Sequence, residues 1–268
     1  MSHYTVAVIT KTNPYETNEL RELLAPFDEN LEVEKYVYRT REQIIKDAKE
    51  HKEALVKKIE EETDIEKLKN YLISPTRQYS RKLLTAVTDS DFYWAEVDRD
   101  MFDVIDGNEY STYNPDSKWD WYEVGGRWSG LLISKADGKE YNSLQIKDWD
   151  YDVFNTDELH YYCRFWDVVV DGAEPTKEEK EEHIFGLYNR EYYLKKYGSK
   201  SNFIKCMCTF STYALLTPDG EWFAPGKMGW FGCSHAEPED EFKWERDYID
   251  LIKTFDPEYY VTIVDCHI

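Results

Sequence analysis

The segment Lys118-Trp-Asp-Trp-Tyr-Glu-Val-Gly-Gly-Arg-Trp-Ser-Gly130 holds the densest set of chemically useful residues in the chain. Gly125 and Gly126 expose backbone N–H groups, and Arg127 sets a fixed cation beside them, which suits a phosphate or a carboxylate. Trp119, Trp121 and Trp128 offer flat rings on which a base or a sugar stacks. The same Gly-Gly pair also suits an ordinary hairpin turn, with Arg127 paired to one of many nearby acids. A second loop, Ala224-Pro-Gly-Lys-Met-Gly-Trp-Phe-Gly232, sets Trp230 among turn-formers. It reads either as a cover over a cleft or as a loop pinned into the core. The ligand-binding candidates are therefore Gly125, Gly126, Arg127, Trp128, Trp121 and Trp230.

A second constellation joins the first and last segments. Asp265 and His267 are two apart in an apolar final run, so as strand residues they share a face. His3 opens the first such run. If the two runs pair antiparallel, His3 meets His267, and two imidazoles and a carboxylate converge as catalytic candidates. That set suits a general acid–base pair or a divalent metal. If the runs pair parallel, the histidines lie at opposite ends of the sheet. Cys206-x-Cys208 and Cys233-x-His235 lack the C-x2-C spacing of zinc knuckles. The first pair reads as small hydrophobes of an apolar strand. No metal and no cofactor is expected, and no P-loop, G-x-G-x-x-G, H-E-x-x-H or G-x-S-x-G pattern occurs.

The elements that must position these residues follow from pattern and punctuation. His3 to Thr10 and Tyr259 to Ile268 read as strands, rich in β-branched residues. Leu31 to Tyr38 reads as a half-exposed strand, and Thr17 to Leu24 as a short helix. Thr40 and Gln43 form a capping box that opens the clearest helix, apolar at Ile44, Ala48, Leu55 and Ile59. Further helix is expected from Thr63 to about Ser74 and from Thr76 to Met101. Trp119 to Val124 and Trp128 to Ser134 read as strands bracketing Gly125-Gly126. Thr176 and Glu179 cap a helix that runs to Tyr197 and stops at Gly198. Phe203 to Leu216 reads as a strand, and Pro238 starts a last helix. The sum is one α+β domain over residues 1–268, with a mixed or largely antiparallel sheet, helices packed on one side, and 40–88 as a helical subdomain.

Composition narrows the function classes. The 268 residues carry a net charge of −21 and are 16% aromatic. From Asp89 to Asp152 there are 16 acids against 6 bases, a balance of −10. Such a field repels phosphate backbones, so direct nucleic-acid binding is disfavoured, while a basic protein surface is attracted. No apolar run approaches a membrane span. The 5 cysteines are odd in number and no signal-peptide layout precedes the first strand, which points to reduced thiols in a cytoplasm.

MSHYTVAVI at the start, LLAPFDEN from Leu23, KWDWYEVGGRWSG from Lys118, GKMGWFG from Gly226 and VTIVDCHI at the end together carry a likeness. The set resembles a family of uncharacterised bacteriophage and prophage proteins, and the helices from Arg41 to Val87 lie outside it. The resemblance implies a phage-encoded protein acting in the cytoplasm of an infected bacterium, with no catalytic residues to carry over. On these grounds the expected function is an accessory phage protein. It would bind a host protein of basic surface, such as one that handles nucleic acid or serves defence, through the acidic, aromatic-rich stretch. The alternative is an enzyme or binder acting on a phosphate-bearing small molecule or nucleotide with a His/Asp/Arg pocket. Elemental analysis is expected to find no stoichiometric zinc. One zinc per chain, lost in Cys206→Ser, would overturn the cysteine reading.

Overall fold

A computed structural model describes residues 2–74, 77–97, 102–151, 156–181, 188–226 and 236–268. Along the chain run β1 (His3–Thr10), α1 (Glu19–Leu24), β2 (Tyr36–Arg39), α2 (Arg41–Glu61), α3 (Ile65–Ile73), α4 (Gln78–Thr85) and α5 (Asp89–Val97). Short strands follow: β3 (Asp103–Ile105), β4 (Asn108–Ser111), β5 (Trp121–Val124), β6 (Leu132–Ile133), β7 (Glu140–Tyr141) and β8 (Ser143–Gln145). Then come α6 (Thr156–Val169), α7 (Lys177–Glu181), α8 (Arg190–Tyr197) and α9 (Lys200–Met207). The chain closes with β9 (Ala214–Leu216), β10 (Trp222–Phe223), α10 (Pro238–Ile252) and β11 (Tyr260–His267). The class is α+β, and contacts group the chain into two units, Met1–Leu31 with Pro115–Ile268, and Glu32–Asn114. Among the described residues no helix is long and apolar enough to cross a membrane.

The first unit is built on a mixed sheet of order β10-β9-β1-β11-β5, with β8 also pairing β11. β1 and β11 pair antiparallel from His3↔His267 to Thr10↔Tyr260, whereas β9 runs parallel to β1. Both central strands are apolar on both faces because both faces are covered. On one face Ala7, Ile9, Leu215, Val261 and Ile263 meet Tyr248, Ile249 and Ile252 of α10. On the other, Val6, Val8, Leu216 and Val264 meet Leu20 and Leu24 of α1 and the indole of Trp119. α10 starts as its sequence dictates, with Pro238 in the first turn and Glu239, Asp240 and Glu241 at the positive end of its dipole. A third cluster gathers Phe165 and Trp166 of α6, Tyr193 of α8 and Phe203 of α9.

The second unit carries α2 to α5 and the antiparallel sheet β2-β4-β3. The capping box is present: the Thr40 hydroxyl accepts from the Gln43 N–H, and the Gln43 side chain accepts from the Thr40 N–H. Beneath α2, Ala48, Leu83, Ala86, Phe92 and Ala95 form the core. Beside it lies an ionic node. Arg39 donates to Glu109 at 2.7 Å and to Glu96 at 3.2 Å, and both glutamates are fully buried. The Arg39 guanidinium faces two desolvated carboxylates, so its loss removes a cation that both share.

Several expected elements differ. The strand expected over Phe203 to Leu216 is helix α9 followed by the short β9, because the Ser199 side chain caps the N–H of Asn202 and starts a helix. Cys206 and Cys208 therefore do not share a strand face; Cys206 is buried, and desolvation pushes its thiol up to about 11. The helix from Thr176 restarts at Asn189, whose side chain accepts from the N–H of Tyr192, and it ends on Gly198 as expected. Of the strand expected over Leu31 to Tyr38, the part from Tyr36 onward is strand, and β2 (Tyr36–Arg39) runs one residue further. Gly125-Gly126 does not join a hairpin: β5 pairs with β11, and a single 3-10 turn, Gly126–Trp128, follows it.

Two substitutions separate the second unit's stabilising terms. Thr40→Ala is expected to cost about 1 kcal/mol, the usual value of an N-cap. Arg39→Met is expected to cost about 3–5 kcal/mol by removing a cation shared by two buried carboxylates. Urea unfolding followed by helix circular dichroism checks both, and equal costs would mean the node contributes no more than a surface pair.

Candidate functional site

The antiparallel register of β1 on β11 sets His3 opposite His267 and Thr5 opposite Asp265. On the far side of β11, β5 sets Trp121 opposite His267 and Glu123 opposite Asp265. Residues directly opposite in paired strands share a face. His3, His267 and Trp121 therefore meet at one end of the sheet, beyond the part of that face that α10 covers. The rings touch: His3 and His267 lie 5.0 Å apart between centroids and near perpendicular, and His267 stacks on Trp121 at 5.2 Å. His3 also meets Trp121 edge-on at 5.3 Å.

Each imidazole is oriented by its own carboxylate. His3 Nδ1 lies 2.8 Å from Asp265 Oδ1, and His267 Nδ1 lies 2.5 Å from Asp120 Oδ1. An ionised carboxylate only accepts, so Nδ1 carries the proton in both rings and Nε2 is left as the reactive nitrogen. His267 Nε2 is buried and has no hydrogen-bond partner among the described residues. Burying a lone pair without a donor is costly, which favours a ligand group that donates to it. The His3 and His267 side chains are only 9% and 6% exposed, so both nitrogens work in a low-dielectric setting.

The Gly-Gly-Arg motif enters this site by an unexpected route. The Arg127 N–H donates to Asp265 Oδ2 at 3.0 Å, and the Gly125 N–H donates to the Ile263 carbonyl at 2.8 Å. The anion cradled by the turn is thus the protein's own carboxylate. Gly126 has φ +52, and a Cβ there would sit 2.5 Å from Asp265 Cβ and Oδ2. Glycine is required because side chain and turn pack against each other.

The candidate residues divide accordingly. His3, Asp265 and His267 come together, with Gly125, Gly126 and the Arg127 backbone supporting Asp265. The Arg127 side chain is exposed and forms no ion pair among the described residues. Trp121 is 43% exposed at the site, whereas Trp128 packs partly buried against the core under α10. Trp119 is buried and donates its indole N–H to the Leu24 carbonyl. Trp230, with Cys233 and His235, lies outside the described residues.

Asp120 was not foreseen. Its partner His267 is 147 positions away, and in sequence it is one acid of many beside Trp121. A search for an acid next to the aromatic that opposes a candidate histidine would have found it. Among the described residues no group of three or more His, Cys, Asp or Glu side chains is arranged to hold a metal ion. No protein-family model, curated protein or solved structure matches the chain.

Gly126→Ala is expected to cost about 2 kcal/mol or more, because positive φ and overlap with Asp265 act together. Gly220→Ala, also at positive φ but with open space around it, is expected to cost about 1 kcal/mol. Comparing the two by urea denaturation isolates the contact with Asp265.

Proposed function

We propose that the chain is an enzyme that uses the pairs His3–Asp265 and His267–Asp120 as an acid–base centre for a small phosphate-bearing compound. The observation that carries this reading is the pair of imidazoles 5.0 Å apart, each with Nδ1 committed to a separate carboxylate. A carboxylate on Nδ1 fixes the tautomer and steadies the imidazolium that forms on Nε2. Two such rings side by side divide the labour of ester cleavage. One neutral Nε2 takes the proton from attacking water as the new O–P bond forms. The other ring, protonated, gives its proton to the departing oxygen as the old P–O bond breaks. His267 suits the base, since its Nε2 lacks a donor. The phosphate class is supported by Arg127, an exposed guanidinium without an ion pair among the described residues, in a chain of net −21. The face of Trp121 not stacked on His267 offers a platform for an aromatic leaving group.

A second reading keeps a specific support. Within the second unit the acidic stretch exposes Trp94 at 55% and Tyr113 at 49%. Exposed aromatics in an acidic field suit a partner of basic surface, in a host cell if the phage resemblance holds.

Turnover of bis(p-nitrophenyl) phosphate tests the first reading. His3→Gln or His267→Gln should each lower kcat about 10²–10⁴-fold. Thermal midpoints should stay close to that of the parent. An absence of turnover, together with no binding of inorganic phosphate, would refute it. Salt-dependent association with a basic protein partner would then favour the second.

A further inference from the structure

A concave site in the second unit lies well away in sequence from the histidine pair. It is a cavity of about 620 Å³ between the second half of α2 and the corner joining α4 to α5. The α2 wall is one helical stripe: Lys49, Lys52 and Glu53, Val56 and Lys57, and Glu60. The opposite wall is Ala86, Val87 and Phe92. Only Ile44 and Ala48 of α2 are buried, so this half of the helix runs on past the core. Phe92 and Ala86 are 8% and 2% exposed at the floor, while Val87 stands 83% exposed at the rim.

Charge lines the same cavity. The Lys49 and Lys52 ammonium groups lie 5.7 Å and 5.5 Å from the centre of the Phe92 ring. Lys49 is paired with Asp89, and Lys52 donates one of its three N–H groups to the Ala86 carbonyl. Lys57 has as its ion pair the exposed Glu61 at 3.9 Å, a weak contact in water. With Lys49 neutralised by Asp89, Lys52 and Lys57 are the cations that this lining offers to an anion, beside Glu53 and Glu60. An apolar floor under ammonium groups matches a ligand with an apolar body and an anionic head. We propose that this cavity binds a small amphipathic anion, an aryl or medium-chain alkyl carboxylate. Its body rests on Phe92, Val56 and Val87, and its head meets Lys52 and Lys57.

The probe is 8-anilinonaphthalene-1-sulfonate, with the uncharged N-phenyl-1-naphthylamine as its matched control and decanoate as competitor. One anionic probe per chain is expected, displaced by decanoate, with the uncharged analogue binding about tenfold more weakly. Val87→Asp and Lys57→Glu alter exposed residues, so helix content should persist while affinity falls about tenfold in each. His267→Gln should bind as the parent does, which separates this site from the acid–base centre. Absence of probe binding, affinity within twofold in both variants, or equal affinity for the uncharged analogue would overturn the assignment.

Discussion

The carboxylate of Asp265 is 2% exposed on a central strand of the sheet, where each oxygen needs a donor. One oxygen receives His3 Nδ1 and the other receives the backbone N–H of Arg127. Much of the first unit follows from meeting those two demands together. The donor from His3 requires β1 antiparallel to β11 in the observed register. The donor from Arg127 requires the turn that follows β5 to fold onto β11, the strand paired with β5, which only glycine permits at Gly126. The Gly-Gly-Arg motif and the paired first and last strands, separate in sequence, are thus two halves of one support.

The second pair copies the chemistry with different surroundings. Asp120 is 35% exposed at its side chain while Asp265 is 2% exposed, so the two histidines share a geometry but differ in solvation. Stacking of His267 on Trp121 fixes ring orientation from a third direction. The arrangement holds each imidazole at Nδ1, holds His267 also over its face, and leaves His267 Nε2 buried without a partner among the described residues.

The second unit meets a related problem with another solution. Glu96 and Glu109 are fully buried, and a single guanidinium bridges them, aided by Tyr79 and His51 on Glu96. Such nodes contribute little net stability compared with apolar packing, yet their disruption is costly, so they select one arrangement of helices and strands over others. The acids that make the chain strongly negative are therefore of two kinds. Most are solvated, and a few are desolvated and determine geometry.

What the sequence determined by itself was local. The capping box at Thr40, the proline start of α10, the glycine stop after α8 and the apolar runs of β1 and β11 all rest on interactions within about four residues or on strand periodicity. The convergence of His3, Asp265 and His267 was legible only as a condition, namely that the strands pair antiparallel. Periodicity could not separate a buried helix turn from a strand around Cys206, since short apolar runs suit either and a serine cap decided it. Tertiary structure alone set the direction of pairing, gave Asp120 to His267 across 147 positions and gave Asp265 to His3 across 262. It also turned the glycine pair from a cradle for a ligand into a cradle for the protein's own carboxylate. The physical reason is that long-range partners are chosen by burial and desolvation, which depend on what the rest of the chain covers and leave no pattern in neighbouring residues.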